Sequence, residues 1–502
     1  MWMKRLAGVS LVTLCSIASM GAAGDELRLI DAVKTANYDA VRTLLKQPGL
    51  ANAAEPDGTT ALHWAVRADD ISAVQSLLRA GANVKAANRY GITPLSLAAV
   101  NGNASMIEAL VKAGADPNTT ITEGETVLMR ASRTGSPEAI KALLDHGADV
   151  NHQDGFLGET ALMWAAADNH AAAVQTLVAR GANPNIRSNL TNFPKIQSQA
   201  KVANALVSVV MPRGGWTALM YAARRGAVDS ARVLIEHGAD LNIVDPDGVS
   251  ALNEAIINFH YDLAGLLIEK GADPNLADAR GMSPLYAAVD MHTVPWIGAR
   301  PELKREDRLD SLDIVKMLLA HGANPNAPLK NRIMQKQYEG GDAALAEGAT
   351  PFMRAAKSGD VPVMRLLLEK GADPHLLQKN HSSALMMAAG LGWREDVDRG
   401  AETAAIEAIK LCLDLGLDIN AYNDAGLTPL HIAVNRDDAI IKFLVERGAK
   451  LDMKDKQGRT PLETALRGTS EELRGSNVRP TTAPLLRQLM ADAANRSASL
   501  GR

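Results

Sequence analysis

Few residues in this chain have types and spacings that invite chemistry. His146, His237 and His321 each stand directly before a Gly-Ala pair. Acidic turns occur at Pro56-Asp57-Gly58 and Asp245-Pro246-Asp247-Gly248, and Cys412 is the one cysteine outside the first 24 residues. A structural or catalytic zinc needs three or four converging ligands. These histidines recur singly, at places suited to a helix C-terminus, where a cation offsets the dipole by about 0.3–1 kcal/mol. The acidic turns carry the oxygen ligands that calcium takes, yet Asp-Pro and Asp-Gly are also the ordinary spelling of tight turns. No phosphate-binding glycine loop with Lys-Ser/Thr, no HExxH, no GxSxG and no paired CxxC occurs. The expectation is therefore no catalytic residue, no cofactor and no metal.

The elements that hold these residues follow from composition and repetition. The chain has 502 residues, 47% hydrophobic but only 4% aromatic, with 40 glycines and 18 methionines. That length exceeds one ordinary core, so several domains or an elongated array are expected. Lys and Arg number 53 against 57 Asp and Glu, a net charge of -4. Such a balance gives no overall basic field, and no nucleic-acid partner is expected.

A glycine, then Thr or Ser two residues later, then a small residue and usually Leu, recurs along the chain. It starts at Gly58 (GTTALHWA), Gly91, Gly124, Gly158, Gly215, Gly248, Gly281, Gly348, Gly426 (GLTPLHIA) and Gly458, with His381 in the glycine place once. An alanine follows seven residues after every start, from Ala65 to Ala465. Start-to-start spacings are 33, 33, 34, 57, 33, 33, 67, 33, 45 and 32 residues. The long values are 33-residue units carrying insertions. The second half of each unit repeats as well. Ala73, Val74, Leu77 and Leu78 share one helix face, and Gly81 after them suits a left-handed cap. Each unit is thus two short helices and a turn. A unit in register before Gly58 starts at Asp25, and Leu485-Leu486 and Leu489-Met490 repeat the second-helix pattern near the other end. Cys412 takes the place of Leu77, which predicts an inert core thiol.

The period and the TPLHxA-type motif, nearest to the pattern at Gly426-Leu-Thr-Pro-Leu-His-Ile-Ala433, resemble the ankyrin-repeat family. The resemblance covers residues 25–494 and looks most like long secreted ankyrin proteins of bacteria. It implies an all-α ankyrin-repeat solenoid of about twelve helix–turn–helix units, starting near 25, 58, 91, 124, 158, 215, 248, 281, 348, 381, 426 and 458, with four insertions. It also implies a concave face made by first helices and turn tips, and members that bind proteins without catalytic residues of their own. Residues 495–502 read as a polar tail that frays.

The fifth residue after each start is His in that family, where its ring steadies neighbouring turns. Here His63 and His431 keep it, and Met129, Met163, Met220, Met353 and Met386 replace it. Methionine fills apolar gaps but is not expected to make the polar bridge. The insertions fall at 187–214, 292–310, 327–347 and 391–402. The first and third lie between units, the second and fourth between the two helices of a unit.

The resemblance places partner contacts beside the start glycines and at first-helix ends. By position these are Arg89, Tyr90, Phe156, Glu159, Trp216, Arg280 and Met282, and then Arg67, Asn101, Arg133, Asp168, Arg224, Arg225 and Asn258. Tyr, Trp and Arg are the usual interface anchors, and the residues taken as partner-binding from this set are Arg67, Tyr90, Arg133, Phe156, Trp216, Arg224 and Arg225. Trp296 and Trp393 join them on the insertions. Trp216, after a glycine pair, is the sharpest candidate, unless the first insertion covers it. Trp64 and Trp164, one place past the His/Met slot, share a position with Leu97, Arg130 and Tyr221, which marks a half-buried face, and read as core packing on it.

Residues 1–24 read as a secretory signal peptide: Lys4 and Arg5, an apolar stretch from Leu6 to Ala18, then Gly21-Ala22-Ala23-Gly24. No later apolar run is long enough to span a membrane. The expected product is a secreted protein, periplasmic or extracellular, with a protein partner. A secreted effector acting on a protein of another cell is the alternative. A catalytic site within the insertions is the third reading; none of them is long enough for a core of its own.

Overall fold

The computed structural model describes residues 27–190, 214–293, 307–331, 344–392, 402–467 and 480–500. The stretch 1–24, Trp296 and Trp393 lie outside the described residues. Among the described residues the regular elements are helices, and pairs such as Thr120–Thr126 and Val244–Ser250 form isolated bridges in the turns. This is the all-α solenoid class that the repeat predicts.

Local chemistry starts each first helix. The hydroxyls of Thr60, Thr93, Thr126, Thr160, Thr217, Ser250, Thr350, Ser383 and Thr428 accept from the backbone N–H three residues on. Each such cap is worth about 1 kcal/mol. Asp70, Asn103, Ser136 and Asp360 do the same for second helices. The two recurrent glycines have different reasons. Gly81 has φ +83° with open space where a side chain would go, so backbone conformation alone excludes other residues. Gly248 has φ +79°, and a Cβ there would also lie 2.9 Å from the Ala279 nitrogen, in the turn that leads into the next repeat.

The residues form two compact units. In the first, consecutive first helices Ala61–Arg67, Pro94–Asn101, Val127–Thr134, Ala161–Ala167 and Ala218–Arg225 pack side by side. Their partners Ile71–Arg79, Ala104–Lys112, Pro137–Asp145, Ala171–Ala179 and Val228–Glu236 are the second helices. In the second unit the first helices run from Ala251–Ile257 through Pro284–Thr293, Pro351–Ser358, Ala384–Ala389 and Pro429–Ala433 to Pro461–Arg467. The core between the two rows is thin and aliphatic: Leu62, Ala65 and Val66 against Ala73, Val74 and Leu77, all at most 1% exposed. The last helix, Thr482–Leu500, continues past 495, where the sequence suggests a frayed tail.

Polar bonds tie repeat to repeat. His63 Nδ1 accepts from the Thr60 N–H at 3.1 Å, which leaves the proton on Nε2 to donate to the Ile92 carbonyl at 2.9 Å. His431 does the same with Thr428 (3.3 Å) and Arg459 (3.0 Å). Methionine makes no bridge to the next repeat, as expected, but it keeps the local half of this arrangement. Met129 Sδ accepts from the Thr126 N–H at 3.3 Å and Met163 Sδ from Thr160 at 3.4 Å. With no donor, the thioether cannot supply the bond to the next repeat. Asn253, in the same slot, reaches the Leu276 carbonyl at 3.3 Å and the Met282 carbonyl at 3.5 Å. A second ladder runs along the turns. The Asn118 amide donates to Gly147 O at 3.0 Å and accepts from Asp149 N at 2.8 Å. Asn52, Asn151, Asn185, Asn275, Asn326 and Asn420 repeat the motif. Lys85 and His375 interrupt the series.

Candidate functional site

Helical geometry puts residues six and nine places after each start on the outer face of the first helices. In the first compact unit the sixth-place residues Trp64, Leu97, Arg130, Trp164 and Tyr221 are all half-buried. The ninth-place residues Arg67, Val100, Arg133 and Arg224 are exposed, and Ala167 is half-buried. Large amphipathic side chains thus line a wet surface, as interface anchors do.

Cations crowd these rings. Lys34 Nζ sits 4.2 Å from the Trp64 ring centre and 2.6 Å from Glu55 Oε1. Glu55 Oε2 in turn accepts from the indole N–H at 2.9 Å. The Lys34 ammonium holds the Glu55 carboxyl below its ordinary range. The Arg67 guanidinium lies 5.3 Å from the same ring. In the fourth repeat, Arg130 pairs with Glu125 at 3.2 Å. Arg133 lies 5.3 Å from the Trp164 ring.

An open cleft of about 240 Å³ lies in front of Trp164, lined by Arg133, Glu159, Ala167, Asp168 and Tyr221. The Tyr221 hydroxyl donates to Glu159 Oε1 at 2.6 Å. Burial pushes the Glu159 carboxyl up, against the lowering effect of the Tyr221 and Trp164 hydrogens. It pushes the Tyr221 phenol up as well, with the Glu159 charge adding to it. The Trp164 N–H is buried without an acceptor in good hydrogen-bond geometry. Trp164 is half-buried, as its repeat position suggests, but its open side is a wall of the cleft rather than core packing.

The second compact unit treats the same positions differently. Glu254, Ala287, Arg354, Met387, Ile432 and Thr464 in the sixth place are all buried. So are Asp290, Lys357 and Asn435 in the ninth. Arg354 Nε pairs there with Asp290, and nearby His292 Nδ1 pairs with Asp360 Oδ2 at 2.5 Å. The Asp360 carboxylate holds the His292 ring above its ordinary pKa.

Trp216 requires a correction. It is only 3% exposed, whereas Thr59, Ile92, Glu125 and Glu159, one residue after the start in the earlier repeats, are half-buried. Its carbonyl accepts from Ser188 N at 2.9 Å and its N–H donates to Ser188 Oγ at 3.0 Å. This pairing turns the ring inward, edge-on to Tyr221 at 5.3 Å and 5.1 Å from the Arg224 guanidinium. Met282 is also buried, at 7%. Asn101 is engaged in holding repeats together, through its bond to Val66 O at 2.8 Å. Tyr90 and Phe156 are 56% and 59% exposed on turn tips, away from the helix rows. Arg89 stacks on Tyr90 at 4.8 Å. Arg225 lies 3.7 Å from Asp168 at the cleft rim.

The residues considered for chemistry have structural roles. His237 and His321 rings bond the carbonyls of Val233 (2.9 Å) and Met317 (2.8 Å) four residues back. Asp245 Oδ1 accepts from Asp247 and Val249 N–H groups within its turn, each at 2.9 Å. Burial raises the Cys412 thiol to about 12, far from a reactive thiolate. Among the described residues no three His, Cys, Asp or Glu converge as a metal site. No helix among them is long and apolar enough to cross a membrane.

The family profile for three consecutive ankyrin repeats matches residues 29–121, 114–188, 196–278, 307–398 and 400–473, and the single ankyrin-repeat profile matches 280–330. The chain belongs to the ankyrin-repeat family. Human B-cell lymphoma 3 protein is similar, at 31% identity over 154 residues, 29% of this chain and 31% of that protein. An ankyrin repeat and KH domain-containing protein of Caenorhabditis briggsae is 29% identical over 158 residues, 31% of this chain and 5% of that protein. The chain thus spans under a third of the length of either relative. Within this ankyrin array, the Trp/Arg row belongs to the first unit. Position within the repeat points to Arg67, Arg133, Glu159 and Asp168. It misses Lys34 and Glu55, which belong to the repeat before that of Trp64, and a contact across repeats leaves no local signal.

Proposed function

We propose that this chain is a non-catalytic protein-binding scaffold that docks its partner on the first-helix face of residues 27–240. The observation that carries the reading is the row of half-buried Trp64, Trp164 and Tyr221 beside exposed Arg67, Arg133, Arg224 and Arg225. Aromatic and arginine side chains held in place by stacking lose little entropy on binding. The signal-like residues 1–24 support export, to the periplasm or beyond the cell.

Photo-crosslinking residues placed at Arg67 or Arg133 in the native source test the docking face. The expected result is a discrete adduct from both positions and none from Lys112 on an exposed second helix. Equal or absent labelling at all three overturns the reading. Fractionation tests export: a mature N-terminus after Ala23 or Gly24 in the envelope or medium supports it, and an intact cytosolic chain overturns it.

A further inference from the structure

We infer that the Trp164 cleft is a receptor for one cationic side chain, an arginine or lysine, of the docked protein partner. The inference rests on the docking reading above and assigns a chemistry to one point of that face.

The repeats themselves show what each wall of the cleft takes. A glutamate one place after the start meets a guanidinium in the fourth repeat, where Glu125 pairs with Arg130 at 3.2 Å. A tryptophan six places after the start meets two cations in the second repeat. Lys34 lies 4.2 Å and Arg67 5.3 Å from the Trp64 ring centre. The fifth repeat carries both features at once, Glu159 and Trp164. Trp164 stands where Arg130 would have neutralised the glutamate. Ala167 stands where Arg67 covers the other tryptophan. The preceding repeat still supplies one cation, Arg133 in the place of Lys34.

What is left is the cleft of about 240 Å³ with Ala167 in its lining. Glu159 bonds Tyr221 at 2.6 Å and has no lysine or arginine within ion-pair distance among the described residues. Glu55 and Glu125 on the same face each have one. The cleft lining carries two carboxylates, Glu159 and Asp168, against one guanidinium, Arg133. Arg225 at the rim approaches Asp168 at 3.7 Å, which leaves Glu159 as the carboxylate without a counter-ion. An aromatic face with a partly desolvated carboxylate beside it attracts a cation by both ring quadrupole and charge. A neutral or anionic side chain gains neither.

The test uses the full chain with 15N-labelled tryptophan indoles, the Trp164 resonance being assigned by Trp164→Phe. N-acetyl-arginine amide is titrated against its neutral near-isostere, N-acetyl-citrulline amide. The expected result is a saturable shift of the Trp164 resonance with the arginine probe and none with citrulline. Glu159→Gln, isosteric and at the cleft wall, abolishes the response. Ala167→Arg supplies the missing guanidinium from within, so the resonance moves without ligand and the probe no longer shifts it. Equal shifts with both probes, no shift with either, or an undiminished response in Glu159→Gln overturns the assignment. Crosslinks from Arg67 and Arg133 distinguish the two levels. Adducts with no arginine response sink the cleft and leave the docking face, and a response without adducts does the reverse.

Discussion

The two compact units use one repeat to opposite ends. In residues 27–240 the first-helix face keeps Trp64, Arg130, Trp164 and Tyr221 half-exposed. In residues 241–500 the same places hold Glu254, Arg354 and Met387, and all are buried. The difference teaches how a solenoid can divide its labour. Charges on the first unit's face lie over rings or in half-exposed pairs, so each contributes little to stability. On the second unit's face the Arg354–Asp290 pair is buried, so the fold there depends on both partners being present.

The largest effect expected from this contrast is in the Arg354–Asp290 pair, whose side chains are each 6% exposed. Asp290→Ala leaves a guanidinium buried without its carboxylate and costs about 3–5 kcal/mol. Glu125→Ala, which breaks a half-exposed pair in the first unit, costs under about 1 kcal/mol. Urea unfolding compares them, and equal costs break the contrast. Next, Leu234→Ala and Leu267→Ala, both at 0% exposure in second helices of the two units, each cost roughly 2–5 kcal/mol. Hydrogen exchange is expected to rise around each site and not at the far end of the array, because repeat interactions are mainly with neighbours. Uniform loss of protection would show that the cores are not local.

A pH comparison sharpens the contrast at smaller scale. Burial holds His63 and His431 below the ordinary 6.5. Their contribution to stability is complete above about pH 6.5 and is lost as pH falls through the depressed folded values. His292 has the opposite sign: Asp360 raises it, so its contribution is complete below pH 6.5 and is lost as pH rises through the raised value. His63→Gln flattens the acid limb and His292→Gln the alkaline limb of unfolding against pH. The same slope in both variants would mean the rings are not in these states. The smallest stability effects are expected at Arg67→Ala and Arg133→Ala, within about 0.5 kcal/mol. Both lower partner crosslinking at neighbouring positions, and unchanged yields would remove the arginines from the docking face.

Residues that act within a few places of each other are legible in the sequence. Thr60 caps a helix whose third residue is His63, and Gly81 ends the next helix, both from local spelling. The site is legible only in part. Repeat position puts Arg67 and Arg133 on an exposed face and Trp164 on a half-buried one, as found, whereas Trp216, expected on the surface, is buried. Residue type tells that methionine cannot bridge to the next repeat, but not that Met129 and Met163 close their own caps through sulfur.

By itself, the sequence determined the helix–turn–helix repeat, the ankyrin family and the buried stripe of each second helix. These rest on caps and periodicities that act over three to seven residues. The tertiary structure alone decided which first-helix rows stay wet and where the cleft opens. Ring contacts from Lys34 to Trp64, the Ser188 pairing that turns Trp216 inward and the Arg354–Asp290 bridge join residues some 28 to 64 places apart. Burial and charge at each site are set by what neighbouring repeats bring to it, and a repeat read alone carries no record of its neighbours.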